Sequence, residues 1–102
     1  MTPMEHDRAA AQISHFPLIL AQALFYSIKD NETAKKLAAS GFRDTTRLAM
    51  SNIEMANDMV VMNRDNIKDV VNMLNSNIET LFNSDYKTEA GKIKEFRENL
   101  YK

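Results

Sequence analysis

The chain has no cysteine, only two glycines and two prolines among its 102 residues, and almost no net charge. Without cysteine it can form neither a disulfide nor a thiolate metal site, and it has no cysteine nucleophile. So few glycines and prolines favour an all-α chain. The formal net charge of −1 provides no electrostatic attraction to nucleic acid or anionic lipid, so we predict neither partner.

Long apolar runs are scarce as well. The apolar run at residues 16–25 is too short to span a bilayer, and the N-terminal residues lack the basic region and cleavage site of a signal peptide. We therefore expect a soluble, cytoplasmic protein without a membrane partner. The length suits a single domain, residues 1–102, and is too short for a catalytic domain plus a cofactor domain.

The first helix is predicted to be long, from about residue 4 to about residue 29. Thr2 can cap it, and Pro3 suits its first turn. Its second half is apolar on nearly all sides, which is typical of a helix that is buried on several faces. Pro17 cannot donate a backbone hydrogen bond, so we predict a kink there, beside His15.

The middle of the chain is predicted to form short helices. One runs from about Glu32 to Ala39 and ends at Ser40-Gly41, because glycine often follows the last residue of a helix. Residues 43–50 are predicted to form another short helical turn.

The remaining sequence predicts the helices that form the core. Apolar residues at three- and four-residue spacing run through 53–81, in one long helix or in two helices broken near Asn63, with Ser51 or Asn52 as the cap. Residues 83–85 end this segment. A last amphipathic helix places three apolar residues on one face: Ile93, Phe96 and Leu100.

The two histidines are candidates for chemistry, but their spacing is unfavourable. His6 and His15 are nine residues apart, which is about 180° around an ideal helix. No third ligand lies at the three- or four-residue spacing of a helical metal site, so we predict no metal. Ser14 diverges from His15 by about 100° and no acid orients the imidazole, so a nucleophile–base pair is not predicted either.

Arg43 and Arg47 are a candidate anion site. They are four residues apart, so on a helix they share one face. Arginine binds a carboxylate through two parallel hydrogen bonds, which suits an anionic ligand. The alternative is an ordinary solvated helical face on which Asp44 neutralises a neighbouring arginine.

Five short strings occur in a fixed order over residues 5–80. They are His6-Asp7, Ser14–Pro17, Gly41–Ala49, Asn52 with Glu54-Met55 and Asp58, and Asn63-Arg64. These strings resemble HD, SHLPH, GFRDTTRIA, NPEMW and NRE of the C-terminal helical domain of prephenate dehydrogenase, in that order and with similar gaps. Any one string would be weak evidence for the family, but five strings in the same order and with similar gaps are specific evidence.

The resemblance implies an enzyme of which this chain is one part. The family converts prephenate to 4-hydroxyphenylpyruvate, in tyrosine biosynthesis, by NAD-linked oxidative decarboxylation. An N-terminal nucleotide-binding domain precedes a helical domain that forms a homodimer. The chain has no G-x-G-x-x-G after a strand, so NAD and the main catalytic histidine are expected on that N-terminal domain. The chain alone is expected to be inactive.

The resemblance also implies roles for five residues. The family's match to Arg47 holds a substrate carboxylate, and the matches to Arg43 and Asp44 lie around the same entrance, with Asp44 expected to pair with Arg47. His15 matches the first histidine of SHLPH and His6 the histidine of HD, both near the cleft and the dimer contact. These five are therefore the predicted substrate-binding residues, and no catalytic residue, cofactor ligand or metal ligand is predicted in this chain.

Two departures from the family strings affect the substrate site. Leu18 replaces the second histidine of SHLPH, and Ala56 replaces the tryptophan of NPEMW, with Ile53 in place of its proline. A polar contact and an aromatic wall are thus absent, which leaves the choice between prephenate and arogenate open. The alternative function is a helical dimerisation or binding module without chemistry, such as a degraded paralogue.

Overall fold

The computed structural model describes all residues 1–102 and contains helices and turns but no strand, which confirms the all-α prediction. No helix combines the length and the apolar composition that a membrane span requires. The α-helices, in chain order, are α1 (Pro3–Ala10), α2 (Phe16–Tyr26), α3 (Glu32–Leu37), α4 (Ser40–Thr45), α5 (Ile53–Met62), α6 (Arg64–Asn83) and α7 (Tyr86–Leu100). A π-helical turn, Ala11–His15, joins α1 to α2, and a 3-10 helix, Arg47–Met50, follows α4.

The predicted cap at Thr2 is confirmed, and it is part of a capping box with Glu5. The Thr2 hydroxyl accepts a hydrogen bond from the Glu5 backbone N–H at 3.1 Å, and the Thr2 N–H donates to the Glu5 carboxylate at 3.3 Å. The helix ends at Tyr26, about three residues earlier than predicted. The N–H groups of Ile28 and Lys29 donate to carbonyls three residues back, and this tightening ends the helix.

The kink predicted at Pro17 is confirmed and takes the form of a π turn. The Phe16 N–H donates to the Ala11 carbonyl five residues back, whereas an α-helix would use the carbonyl four residues back. Pro17 follows directly and has no N–H to donate, and its ring conflicts with a regular α-helical turn before it. The wider turn therefore allows the helix to continue through the proline.

Because the π turn accommodates one extra residue, it rotates all later positions by about 100° relative to an unbroken α-helix. Asp7 and His15 are eight residues apart but take the angular offset of residues seven apart, about 20°, so they lie on one face. The same correction reduces the angle between His6 and His15 around the helix axis from about 180° to about 80°. The assumption of an ideal helix was therefore wrong across this turn.

The segment after the first helix differs from its prediction at the glycine. Helix α3 ends at Leu37, and Ala38 and Ala39 have extended backbones. Gly41 lies inside the first turn of α4 and its φ is not positive, so it does not end a helix. The prediction of a glycine cap at this point was wrong, because two extended alanines make the break instead.

The helix break predicted near Asn63 is confirmed. The side chain of Asn52 caps α5 by accepting from the Met55 N–H at 3.0 Å. Asn63 then separates α5 from α6: its N–H donates to the Met59 carbonyl, and its carbonyl accepts from the Ile67 N–H. One residue thus ends one helix and begins the next.

The chain divides into two compact units, residues 1–70 and residues 71–102. In the first unit, α2 packs against the 3-10 helix and α5 packs against the π turn. The buried apolar side chains all belong to this unit: Ala11, Phe16, Leu18, Ala21, Ala56, Ile67 and Val70. The second unit consists of the end of α6 and the whole of α7. The apolar residues predicted on one face of α7 are all more than half exposed, at 55% for Ile93, 68% for Phe96 and 65% for Leu100.

The N-terminal cap of α7 predicts a pH effect. The Asp85 carboxylate accepts from the Thr88 hydroxyl at 2.5 Å and from the Thr88 N–H at 3.2 Å, and these bonds lower the pKa of Asp85 below its ordinary value of 3.8. Since the folded state has the lower pKa, the stabilisation is complete above the ordinary pKa. It is lost as the pH falls through the folded value.

We therefore expect the wild type to lose stability relative to Asp85→Asn as the pH falls below about 4, because asparagine caps a helix without titrating. Urea unfolding of both proteins from pH 3 to 7, followed by circular dichroism, measures the difference. A difference that stays constant over this range would contradict the proposed cap.

Candidate functional site

A cavity of about 680 Å³ lies beside the junction of α4 and the 3-10 helix. Three of the five predicted site residues line it, namely Arg43, Asp44 and Arg47. The other lining residues are mostly apolar: Phe25, Ala38, Ala39, Phe42, Thr46, Ala49 and Met50. The cavity thus combines an apolar wall with two guanidinium groups and one carboxylate.

The two arginines reach the same cavity from two different helix types. Arg43 lies in α4, whereas Arg47 is the first residue of the 3-10 helix, so the two do not share one continuous α-helix. Thr46 lies at the junction, is only 3% exposed, and its hydroxyl donates to the Phe42 carbonyl at 2.8 Å. This local bond accompanies the end of the α-helical geometry, as threonine side chains that bond to the preceding turn often do.

An aromatic pair attaches this segment to α2. The rings of Phe25 and Phe42 are stacked with their centroids 5.8 Å apart and their planes at 21°. Phe42 directly precedes Arg43, so the stack fixes the backbone from which that arginine extends. Both rings also form part of the cavity wall.

The charges at the cavity are not paired with one another. The ion pairs of the structure are His6–Asp7, Glu32–Lys35 and Glu89–Lys92, and Asp44 forms none with Arg47. Two exposed guanidinium groups against one carboxylate leave one positive charge in excess at the cavity. The arrangement is chemically suited to a small ligand with an anionic end and an apolar body.

The other two predicted residues lie elsewhere in the first unit. His15 is half-buried, and its Nδ1 lies 3.1 Å from the side-chain amide nitrogen of Asn63. His6 is exposed, with its Nδ1 3.4 Å from a carboxylate oxygen of Asp7. Neither histidine lines the cavity of Arg43 and Arg47, so the five residues fall into two groups.

Sequence reasoning missed Asn63 as a site residue. Its side chain is 8% exposed, and it joins the first helix to the α5–α6 junction through bonds to the Asp7 carbonyl and to His15. The sequence contained two signals, since Asn63 breaks the apolar periodicity and is part of the string Asn63-Arg64. Asn63 and Asp7 also line a second, polar cavity of about 470 Å³.

The structure offers neither a metal site nor a dinucleotide site. No group of three histidine or carboxylate side chains is placed to hold a metal ion. A dinucleotide site requires a strand followed by a glycine-rich turn, but the chain has no strand and neither of its glycines has a positive φ. The residues present therefore do not fit NAD.

The two departures from the family strings are core residues. Leu18 is 3% exposed and Ala56 is 6% exposed, and neither lines the arginine cavity. Their apolar side chains therefore contribute to packing of the first unit.

Comparison with known proteins gives matches over nearly the whole chain. The family model "Prephenate dehydrogenase, dimerization domain" matches residues 2–100. The prephenate dehydrogenase of Bacillus subtilis (strain 168) is 42% identical over 73 residues, which are 68% of this chain and 20% of that protein. The prephenate dehydrogenase of Lactococcus lactis subsp. cremoris (strain MG1363) is 41% identical over 63 residues, 58% of this chain and 18% of that protein.

A solved structure shares the fold. The crystal structure of Synechocystis arogenate dehydrogenase aligns with a TM-score of 0.72 and 28% sequence identity, over 97% of this chain and 38% of that chain. The present chain thus spans about one fifth of the length of the curated relatives that it matches.

The aromatic stack can be tested by a double-mutant cycle. We expect Phe25→Leu and Phe42→Leu each to lower the free energy of unfolding, and the double variant to reveal a coupling of about 0.5–1.5 kcal/mol, because leucine keeps apolar contact but loses the ring–ring interaction. Urea unfolding at one fixed protein concentration supplies the four values. Additive effects would show that the two rings do not interact in solution.

Proposed function

Because this chain belongs to the prephenate dehydrogenase dimerization-domain family, we propose that it is the dimerising and substrate-binding part of an NAD-dependent prephenate or arogenate dehydrogenase. The reaction proposed is the oxidative decarboxylation of prephenate to 4-hydroxyphenylpyruvate in tyrosine biosynthesis, in the cytoplasm.

The observation that best supports this proposal is the cavity that contains Arg43 and Arg47. Prephenate is a dicarboxylate built on a six-membered ring, so it needs cationic groups beside an apolar wall. Arg47 binds one substrate carboxylate through its guanidinium group, and Arg43 adds a second positive charge at the entrance. Phe25 and Phe42 offer the apolar surface for the ring.

The redox chemistry is assigned to another part of the enzyme. NAD, which accepts the hydride, is held by an N-terminal nucleotide-binding domain, and the main catalytic histidine belongs to that domain too. The residues of this chain bind and orient the substrate and exclude water from it. Asp44 lines the same cavity and forms no ion pair with Arg43 or Arg47, so both guanidinium groups are available to an anionic ligand.

The proposed homodimer is supported by the apolar residues that one chain leaves exposed. Met62 is 88% exposed, and Phe82 is 84% exposed. Ile53 on α5 is 68% exposed, as is Phe96 on α7. Soluble proteins rarely leave so many large apolar side chains in water, so we assign them to the contact with a second copy.

A non-catalytic dimerisation module is the second candidate. The observation in its favour is that Leu18 and Ala56, the positions that depart from the family strings, are both buried apolar residues that cannot contact a polar substrate group. In that case the chain would still form a dimer but would bind no prephenate.

The role of Arg47 can be tested in a dehydrogenase that joins this chain to its nucleotide-binding domain. We expect Arg47→Ala to raise KM for prephenate by about tenfold to a hundredfold, because a hydrogen bond to a charged group is worth about 1.5–3 kcal/mol. Steady-state kinetics measure the change, and NAD affinity should stay the same.

Arg8→Ala is the matched control, since Arg8 is an exposed arginine of α1 away from the cavity. An unchanged KM in Arg47→Ala, with NAD still bound, would show that the substrate site is assigned to the wrong residue. Absence of activity toward both prephenate and arogenate in the intact protein would favour the non-catalytic module.

If the protein is a homodimer, we expect the wild type to have the mass of two chains in solution, and this mass should not change with concentration in the micromolar range. Sedimentation velocity measures this directly. We expect Phe96→Asp to shift the protein toward monomer, because it places a charge on an apolar contact, whereas Lys94→Asp, on the polar side of α7, should leave the dimer intact. A folded monomer in the wild type would contradict the proposed association.

A further inference from the structure

The side-chain amide of Asn63 is fully hydrogen-bonded inside the first unit. Its nitrogen donates to the backbone carbonyl of Asp7 at 2.8 Å and lies 3.1 Å from Nδ1 of His15. Its oxygen accepts from the side-chain amide of Asn66 at 2.8 Å. The two hydrogens of the amide nitrogen therefore have two acceptors, and the oxygen has its own donor.

These contacts determine the orientation of the amide. The Asp7 carbonyl can only accept a hydrogen bond, so the group that faces it must be the NH2 of Asn63. The same nitrogen faces His15, and since it can only donate, Nδ1 of His15 must accept. An imidazole whose Nδ1 accepts is neutral and has its hydrogen on Nε2.

The backbone makes this contact difficult to avoid. Asn63 is fixed at the α5–α6 junction by its own N–H and carbonyl, which bond to Met59 and Ile67. The π turn places Asp7 and His15 on the same face of the first helix, about 20° apart, so one amide can reach both. Without the extra residue of the π turn the two positions would be about 80° apart.

We propose that Asn63 is a positioning residue that selects the tautomer of the neutral His15 imidazole, with the hydrogen on Nε2. Nε2 is then the group of His15 that can donate a hydrogen bond to an oxygen acceptor, such as a carboxylate, carbonyl or hydroxyl oxygen of a ligand. The inference about the tautomer stands on this chain alone. Its use toward a substrate rests on the proposed function.

Nitrogen NMR of the histidine-labelled chain tests the tautomer. At a pH where the imidazoles are neutral, we expect Nδ1 of His15 to resonate as an unprotonated nitrogen and Nε2 as a protonated one, with a single tautomer populated. A scalar coupling through the hydrogen bond is expected between Nδ2 of Asn63 and Nδ1 of His15. His6 is the internal comparison: its Nδ1 lies 3.4 Å from the Asp7 carboxylate, which only accepts, so His6 should carry its hydrogen on Nδ1.

Two variants distinguish the effect of Asn63 on the His15 tautomer from the intrinsic preference of an imidazole for one of its two tautomers. Asn63→Ala removes the donor, so His15 should populate both tautomers. Asn63→Asp replaces the donor by an acceptor, so hydrogen should appear on Nδ1. Asn52→Asp is the matched control: it makes the same chemical change at another helix cap, where only the side-chain oxygen is used, and should leave His15 unchanged.

Hydrogen on Nδ1 of His15 in the wild type, or absence of the coupling, would overturn the proposal, and neither measurement requires a variant to fold. A single Nε2–H tautomer that persists in Asn63→Ala would also overturn it. In the complete dehydrogenase, Asn63→Asp should change KM for prephenate by about tenfold or more, which is the loss of one hydrogen bond to a charged group. If the protein has no dehydrogenase activity, the proposed function fails but the NMR result for His15 still decides this inference.

Discussion

The amide of Asn63 is the interaction on which the arrangement of the first unit depends. It connects the start of the first helix, through the Asp7 carbonyl, and the middle of that helix, through His15, to the residue that separates α5 from α6. A buried amide that lost either partner would carry an unsatisfied polar group at a cost of about 1–3 kcal/mol. The α5–α6 junction and the first helix are therefore held in one relative position by a polar contact within a small apolar core.

That contact exists because the first helix is not a regular α-helix. Pro17 cannot donate to the carbonyl four residues back, and the turn before it widens to a π turn. The added residue brings Asp7 and His15 onto one face, where a single side chain reaches both. A proline that seems only to interrupt the helix thus determines which side chains can meet across the unit.

The proposed substrate site depends on a different irregularity. Thr46 separates α4 from the 3-10 helix, and this change of helix type places Arg43 and Arg47 at one cavity although they are not on one continuous helix. The stacked rings of Phe25 and Phe42 attach this segment to α2 and supply the apolar wall. Cationic and apolar groups are thereby combined at one cavity.

Local sequence patterns were sufficient to predict the helical class, the caps at Thr2 and Asn52, and the break at Asn63, because periodicity and capping chemistry act over a few neighbouring residues. The five-string resemblance also identified the family that the comparisons show. Only the three-dimensional structure shows that Gly41 lies within a helix, that Arg43 and Arg47 reach their shared cavity from two different helix types, and that Asp7 and His15 share one face. These features depend on the backbone path through a π turn and a 3-10 helix. They also depend on two contacts of Asn63, with His15 and with Asp7, which lie 48 and 56 positions away in the sequence. Spacing rules assume ideal helices and consider only neighbours along the chain. They therefore cannot predict an irregular helical turn or a contact between distant residues.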